Sequence, residues 1–406
     1  DWRRGPRREA DASGGTRGTS LLEGSKRMKK SIQLPLQTGD LIVGFMVWVI
    51  MSSLLPYILQ DIAIPPDRVA LVTAVPVILG SVLRVPLGYL TNRLGARTVF
   101  LASFVCLLLP VWLISEATTY EALITGGVFL GIGGSVFSVG VTSLPKYYPR
   151  ERHGFVNGVY GFGNMGTALT TWLAPLAAAA WDWRVAVKLY LVLLVAAIAV
   201  NLVLGDRAEP RVRTPIVAQI KTVWRDGRLW ALSLFYFVTF GAFVALTVSL
   251  PNFLVMHYGL DGVTAGMLTS AFIVAAATLR VLGGWLADRY DCLRLLAVVF
   301  AALAVGAAVL ALAPGLPVYL AGIYLISAAC GIGNGAVFKL VPTYFLGQAG
   351  PVNGLVSMWG GLGGFFPPLV LAASTAVFGS NLPGLSLFGA FCAVCLVVAA
   401  WMGRRR

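Results

Sequence analysis

Residues 83–97 read LRVPLGYLTNRLGAR, and a related stretch, LRVLGGWLADRYDCLR, occupies residues 279–294. Both stretches carry an arginine at their second position, Arg84 and Arg280, which lie 196 positions apart. Each arginine falls inside an apolar segment, where inserting a charge costs roughly 2.5–3.5 kcal/mol on insertion scales. Because this cost is met twice at matched positions, the sequence indicates a central site for an anion.

Further residues of the two stretches match at the same offset. A glycine follows four residues after each arginine, and a second arginine closes each predicted helix nine residues after the first. We expect these helix-end residues to act in a gate on the cytoplasmic side: Gly88, Arg93, Gly284, Asp288 and Arg289.

The composition predicts an all-α membrane protein. Of the 406 residues, 58% are hydrophobic and 12% are charged, and the mean hydropathy is +0.81. Apolar stretches of about 20 residues, the length that spans a bilayer, fill most of the chain. No secretory signal peptide is recognised before them. The predicted spans are 39–60, 68–91, 98–115, 120–143, 154–176, 184–204, 229–250, 263–288, 294–313, 317–340, 351–374 and 382–403.

These twelve spans divide into two halves. We expect a polar cytoplasmic tail over 1–37, a six-helix bundle over 38–204, a basic cytoplasmic linker over 205–228 and a second bundle over 229–403. The net charge of +14 is concentrated in the tail, the linker and alternate loops. By the positive-inside rule both termini are cytoplasmic, and nucleic acid is not an expected partner.

Two further motifs repeat in the same order. VNGVYGFGNMG begins at Val156 and VNGLVSMWGGLGG at Val352, while GIGGSVF begins at Gly131 and GIGNGAVF at Gly331. Repeats in one order predict two similarly oriented bundles related by an axis along the membrane normal. A site at the midplane and alternating access follow from this architecture.

The intramembrane arginines have no evident partner in the sequence. All 17 Asp and Glu are predicted to lie in tails, loops or helix ends, and His153 and His257 lie at helix ends. Backbone carbonyls, dipoles, water or a ligand must therefore satisfy the guanidinium groups. We favour an anionic ligand, because guanidinium can hold an oxyanion through two parallel hydrogen bonds.

The glycine runs within helices have two interpretations. Small residues allow close helix packing in lipid, and glycine also loosens a helix that must move. The candidates for packing or gating are Gly161, Gly163, Gly166, Gly360, Gly361, Gly363 and Gly364. Asn164 lies in the first run, where it can contact an anion or bond across helices; we favour substrate contact.

No enzyme or cofactor chemistry is indicated. The sequence contains no plausible catalytic triad, metal cluster or nucleotide-binding loop. Cys392 and Cys395 are one turn apart, but no further zinc ligand is near, so we interpret the five cysteines as small apolar residues.

At this point the motifs resemble a known family. GYLTNRLGAR and GWLADRYDCLR resemble the signature of the major facilitator superfamily, although Asn92 stands where that signature commonly has Asp. The two arginines, GFGNMG followed by Pro175, GIGNGAVFKLVP and GGLGGFFPP are similar to the nitrate/nitrite porter family within it. The resemblance covers about residues 38–403.

The resemblance implies a set of substrate contacts. Members of the family bind nitrate or nitrite between arginines of the second and eighth helices, which match Arg84 and Arg280. A phenylalanine of the fourth helix and one of the seventh sandwich the flat ion. The two phenylalanines match Phe137 and Phe240. A tyrosine one turn before the second phenylalanine matches Tyr236, and the asparagine of the family's glycine motif matches Asn164.

The sequence thus predicts a carrier of nitrate and nitrite in the inner (plasma) membrane, active as a monomer and needing no cofactor. Exchange of the two anions is favoured, because no carboxylate is predicted inside the membrane to carry a proton. The alternatives are nitrate/proton symport, a carrier of another small monovalent anion such as cyanate or a carboxylate, and a membrane anion sensor.

Overall fold

The computed structural model describes residues 31–149, 152–211, 216–312, 315–345 and 349–404. In these ranges eleven helices are long and apolar enough to cross a membrane. A further helical stretch over 153–180 contains the segments His153–Gly161, Phe162–Asn164 and Met165–Ala180, and we label it α5. The others are α1 Gln33–Asp61, α2 Pro66–Leu94, α3 Ala96–Ser115, α4 Tyr120–Lys146, α6 Trp183–Leu204, α7 Gly227–Tyr258, α8 Gly262–Arg289, α9 Cys292–Ala311, α10 Leu316–Tyr344, α11 Pro351–Phe378 and α12 Leu382–Arg404. The prediction of an all-α protein with about twelve membrane helices is confirmed.

Three helices of the first half are interrupted beside residues of the predicted site. α2 breaks at Leu83, directly before Arg84, and α4 breaks at Val136, directly before Phe137. α5 contains a tight 3₁₀ turn over Phe162–Asn164. Such irregular turns free backbone groups and redirect side chains, and they are frequent at functional sites. Here they surround the centre of the molecule.

The two halves pack in the same way. A Cβ on Gly166 of α5 would lie 2.1 Å from the backbone oxygen of Ile42 in α1. A Cβ on Gly363 of α11 would lie at the same distance from the backbone oxygen of Phe237 in α7. Because neither glycine tolerates a side chain, both helix pairs are in backbone contact, as small residues permit in lipid.

The halves meet mainly along two helix pairs, α2 with α11 and α5 with α8. A Cβ on Gly361 would lie 2.3 Å from Ser81 Oγ, and a Cβ on Gly266 would lie 2.3 Å from the backbone oxygen of Thr171. The side chains that face the centre of the molecule therefore project from helices that are held close together.

The helix ends that carry Arg93, Lys146, Arg289 and Lys339 form what we call the basic end. There Glu209, which follows α6, accepts hydrogen bonds from Lys146 Nζ at 2.9 Å and from the backbone nitrogen of Ala96 at 2.6 Å. In the second half Lys339 of α10 forms an ion pair with Asp288 of α8. Each half thus has its own set of polar contacts that joins its helices at this end.

The boundaries of the tail and the linker differ from the prediction. α1 begins at Gln33, within the predicted tail 1–37, because its polar side chains have partners: Gln37 Nε2 donates to Ser143 Oγ at 3.0 Å. The linker 205–228 contains a short helix, Ile216–Val223. Residues 1–30 of the tail lie outside the described residues.

One expectation about charge was wrong. Asp40 lies inside the helical segment Gln33–Trp48 with only 3% of its surface exposed, not at a helix end. Asn201 of α6 donates a hydrogen bond from Nδ2 to Asp40 Oδ1, while Asp40 Oδ2 has no hydrogen-bond partner among the described residues. A polar neighbour on α6 makes this burial possible, and the sequence does not reveal that neighbour.

Candidate anion-binding site

Arg84 and Arg280 come together at the centre. Arg84 is fully buried and Arg280 is 3% exposed. Their guanidinium carbons lie 5.2 and 5.3 Å from the ring centroid of Phe137, so their separation cannot exceed the sum of these distances. Within the described part of the chain neither arginine forms an ion pair. Two positive charges therefore share one small region without a carboxylate.

Backbone and phenol groups satisfy only part of these guanidinium groups. Arg84 donates from Nε to the carbonyl of Gly80 at 3.2 Å and from Nη1 to the carbonyl of Ser357 at 2.9 Å. Arg280 donates from Nη2 to the hydroxyl of Tyr236 at 3.3 Å. Arg84 Nη2 and Arg280 Nη1 are buried without a partner among the described residues. Leaving a buried donor without an acceptor costs about 1–3 kcal/mol, and more for a charged group. Binding of a ligand that accepts these hydrogen bonds would remove this cost.

Aromatic rings flank the arginines. Phe137 and Phe240 are stacked with centroids 6.4 Å apart and planes 26° apart. Two successive contacts of about 3.5 Å would need about 7 Å, so a small opening admits a planar ion between them. The ring of Tyr236 stacks on that of Phe240 with centroids 4.8 Å apart. The guanidinium of Arg84 lies 5.0 Å from Phe240, which places charge beside the gap.

The break in α4 fixes the position of Phe137. The carbonyl of Val136 accepts a hydrogen bond from the hydroxyl of Tyr160 at 3.0 Å. The same hydroxyl accepts one from the backbone nitrogen of Gly140 at 3.2 Å. The Tyr160 hydroxyl thus bridges the backbone on both sides of Phe137, and its ring packs against Phe137 with centroids 5.8 Å apart.

Asn164 closes the 3₁₀ turn of α5. It is 2% exposed, and its side-chain oxygen has no partner among the described residues. The turn begins after Gly161, where a Cβ would lie 2.5 Å from Arg280 Nε. The turn that contains Asn164 therefore packs against α8, and among the described residues no hydrogen bond joins Asn164 Oδ1 to Arg280.

The predicted gating residues fall into separate groups. Gly161 and Gly361 lie between the halves, against Arg280 and Ser81. The remaining residues of the two glycine runs pack within one half, namely Gly163, Gly166, Gly360, Gly363 and Gly364. Gly88 also packs within its half, and Gly284 lines a cavity. At the basic end Arg93 and Arg289 are exposed, and Asp288 forms an ion pair with Lys339. Their gating role stays a prediction.

Sequence reasoning missed three members of the site. Phe338 lies edge-on to Phe137 at 5.8 Å and to Tyr236 at 4.8 Å. Its position in GIGNGAVF corresponds to that of Phe137 in GIGGSVF, so the repeat carried the signal. The other two are the carbonyl of Ser357, which accepts from Arg84, and Tyr160, whose hydroxyl donates to the carbonyl of Val136. Hydrogen bonds to backbone groups cannot be recognised from a pattern of side chains.

The arrangement suits a small, flat, singly charged anion. Donors on two sides and rings on two faces match such an ion, and the buried setting strengthens each electrostatic contact. Among the residues that the structure describes there is no group of three or more His, Cys, Asp or Glu that could hold a metal ion.

Comparisons with known proteins identify the family to which the chain belongs. The family model described as "Major Facilitator Superfamily" matches residues 39–368. A "Nitrite extrusion protein" of Bacillus subtilis is 52% identical over 374 residues, which are 92% of this chain and 95% of that protein. A "Probable nitrate transporter NarT" of Staphylococcus epidermidis is 46% identical over 379 residues, covering 93% and 98%.

A solved structure supports the fold alone. The human organic anion transporter MFSD10 (TETRAN) superposes with a TM-score of 0.74 at 15% identity, over 91% of this chain and 99% of that one. From the family model and the two bacterial relatives, we conclude that the chain belongs to the nitrate/nitrite porter family of the major facilitator superfamily.

Proposed function

We propose that this protein carries nitrate and nitrite across the membrane by alternating access. One observation carries the proposal: two buried arginines have no carboxylate partner in the described part of the chain. Each keeps a guanidinium nitrogen that is unpartnered there, beside the ring of Phe137. A flat anion between Phe137 and Phe240 would supply acceptors to both. The names of the two bacterial relatives, a nitrite extrusion protein and a probable nitrate transporter, support this substrate class and a carrier rather than an enzyme.

Alternating access is supported by an asymmetry in the contacts between the halves. Away from the basic end, Gly266 leaves no room for a Cβ against Thr171. Toward the basic end, a Cβ on Gly158 would lie 3.8 Å from Val281, which is an ordinary contact, and a cavity reaches Arg280 there. This conformation is closed on one side and looser on the other, and the opposite arrangement would complete the cycle.

Exchange is the favoured mode because of the same two charges. Closing around an empty site would leave two guanidinium groups desolvated near each other, which is costly at low dielectric. A bound anion offsets this cost, so the loaded carrier should cross more readily than the empty one. Nitrate entering and nitrite leaving, or the reverse, would then be coupled without a proton.

Nitrate/proton symport is the second candidate, and Asp40 favours it. Among the residues that the structure describes, this buried carboxyl group has no cation partner, and Asn201 is its one side-chain hydrogen-bond donor. Burying a charge without a partner is costly, so a proton on Asp40 would ease its burial. Such a group could take up and release a proton during the cycle, away from the anion site.

The setting in the cell is also a proposal. The basic end and the tail concentrate the +14 net charge, which favours a cytoplasmic position for both termini in the plasma membrane. The complete site lies between the two halves of one chain, so a monomer suffices.

Counterflow in proteoliposomes tests the proposal. Liposomes preloaded with unlabelled nitrate should take up labelled nitrite much faster than liposomes without internal anion. Chloride-loaded liposomes are the control for charge balance. Equal uptake into anion-free liposomes under a pH gradient would reject exchange and favour symport. Absence of any nitrate or nitrite flux would reject the transport proposal as a whole.

A further inference from the structure

A small cavity, partly open to solvent, lies between the central site and the basic end. It is lined by residues of α4, α5, α8 and α10, including Asn157, Arg280, Asn334 and Lys339. The side chain of Lys339 is 37% exposed, so the cavity meets solvent at this residue. Arg280 therefore borders both this cavity and the space between Phe137 and Phe240, which we call the aromatic sandwich.

Three of the residues that line the cavity carry polar atoms without a hydrogen-bond partner among the described residues. Arg280 Nη1, Asn157 Oδ1 and Asn334 Oδ1 are buried and have no hydrogen-bond partner among the described residues. Arg280 is 3% exposed and Asn334 is 2% exposed. An asparagine amide that turns about its last bond offers its NH₂ group instead of its oxygen. Two amides and one guanidinium can thus all donate into the same space.

The charged residues at the mouth of this cavity have no charged counterparts in the first half. Lys339 pairs with Asp288, whereas the corresponding residues of the first half are Ser138 and Asn92, which carry no charge. The ion pair is therefore no general requirement of the repeated scaffold. Its positive member lies where an anion would pass between Arg280 and the solution, and its negative member keeps the mouth neutral overall.

We propose that this cavity is a second anion site, in which a small oxyanion waits between the aromatic sandwich and the solution at the basic end. Asn157, Asn334 and Arg280 Nη1 hold the ion, and Lys339 draws it to the mouth. The site rests on the proposed nitrate and nitrite transport. Because Arg280 borders both spaces, an ion moves between them without leaving this guanidinium.

The test measures half-saturating nitrite concentrations from each side of oriented proteoliposomes. For Asn334→Ala or Asn157→Ala, the value at the basic end should rise roughly tenfold, since a hydrogen bond to a charged ligand is lost. The value at the other side should change less than about twofold, a shift too small for one such bond. Asn353→Ala is the matched control: it is the repeat counterpart of Asn157, also with an unpartnered oxygen, but it lies outside the cavity.

The possible outcomes are distinct. Unchanged values on both sides, or equal rises on both sides, would overturn the second site and leave a water-filled cavity. If either alanine variant fails to fold, Asn157→Ser and Asn334→Ser keep the side chains small and polar and carry the same expectation. No flux in the wild-type protein would instead reject the transport proposal. In that case nitrate binding to the purified protein, compared between wild type and Asn334→Ala, decides the second site: equal affinity overturns it.

Discussion

Arg84 and Arg280, 196 positions apart in the sequence, present their guanidinium carbons to one ring, that of Phe137, at 5.2 and 5.3 Å. One arginine comes from each half of the molecule, and each retains a buried nitrogen that has no hydrogen-bond partner in the described ranges. A shared anion would therefore bond to both halves at once. This relationship links the repeat in the sequence to closure of the two bundles around a substrate.

Replacing either central arginine with lysine should nearly abolish transport. Arg84→Lys or Arg280→Lys keeps the charge but removes the planar pair of donors, so uptake should fall by roughly 10- to 100-fold. Nitrite uptake by proteoliposomes measures this, and size-exclusion chromatography checks folding. Arg294→Lys, at an exposed arginine, is the control and should keep full activity. Full activity in both central variants would remove them from the site.

Tyr236 positions Arg280 through its hydroxyl, which accepts from Nη2 at 3.3 Å. Tyr236→Phe keeps the stack on Phe240 and loses only this bond. We expect the half-saturating concentration to rise about 2- to 10-fold, as one modest hydrogen bond requires. Tyr190→Phe removes another buried hydroxyl, bonded to Thr170 Oγ1 on the first half, and serves as the control. An equal effect in both variants would mean a general packing defect.

Two glycines are fixed by backbone contact. Gly166→Ala and Gly363→Ala would place a methyl group 2.1 Å from the carbonyl oxygens of Ile42 and Phe237. Overpacking of this kind costs about 1–3 kcal/mol or more, so yield and unfolding temperature should fall. Gly354→Ala is the control, because its Cβ would meet the nearest atom at 3.8 Å. Wild-type stability in both test variants would show that the helices are farther apart than described.

Asp40 separates the two coupling modes. Asp40→Asn keeps an acceptor for Asn201 and removes the only proton that this position could carry. If exchange is correct, nitrate/nitrite counterflow in the variant should match wild type at mildly acidic and at neutral pH. Uptake driven by a pH gradient, measured in parallel, should be absent from both proteins. Gradient-driven uptake in wild type that disappears in Asp40→Asn would establish symport through this residue.

The residues at the centre of the candidate site are easier to find in the sequence than those around them. Arg84 and Arg280 stand out because a charge inside an apolar helix is costly and the repeat doubles the signal. Phe137, Tyr236 and Phe240 could be named only through the family resemblance, since aromatic residues are common throughout these helices. Even so, the structure brings all three rings beside the arginines.

Other features could not be found from sequence for physical reasons. Ser357 contributes its backbone carbonyl, and Tyr160 secures the break at Val136, so neither depends on a recognisable side-chain pattern. Asp40 was assigned to a helix end because the polar residues before it resemble a tail. Its burial depends on Asn201, a residue 161 positions away.

A structure of the protein with nitrate bound, determined at a resolution that locates the ion, tests the central claim most directly. The account predicts one nitrate between Phe137 and Phe240, with Arg84 Nη2 and Arg280 Nη1 both within hydrogen-bonding distance of its oxygens. A nitrate that contacts only one of these arginines, or a central site that stays empty at saturating nitrate, would contradict it.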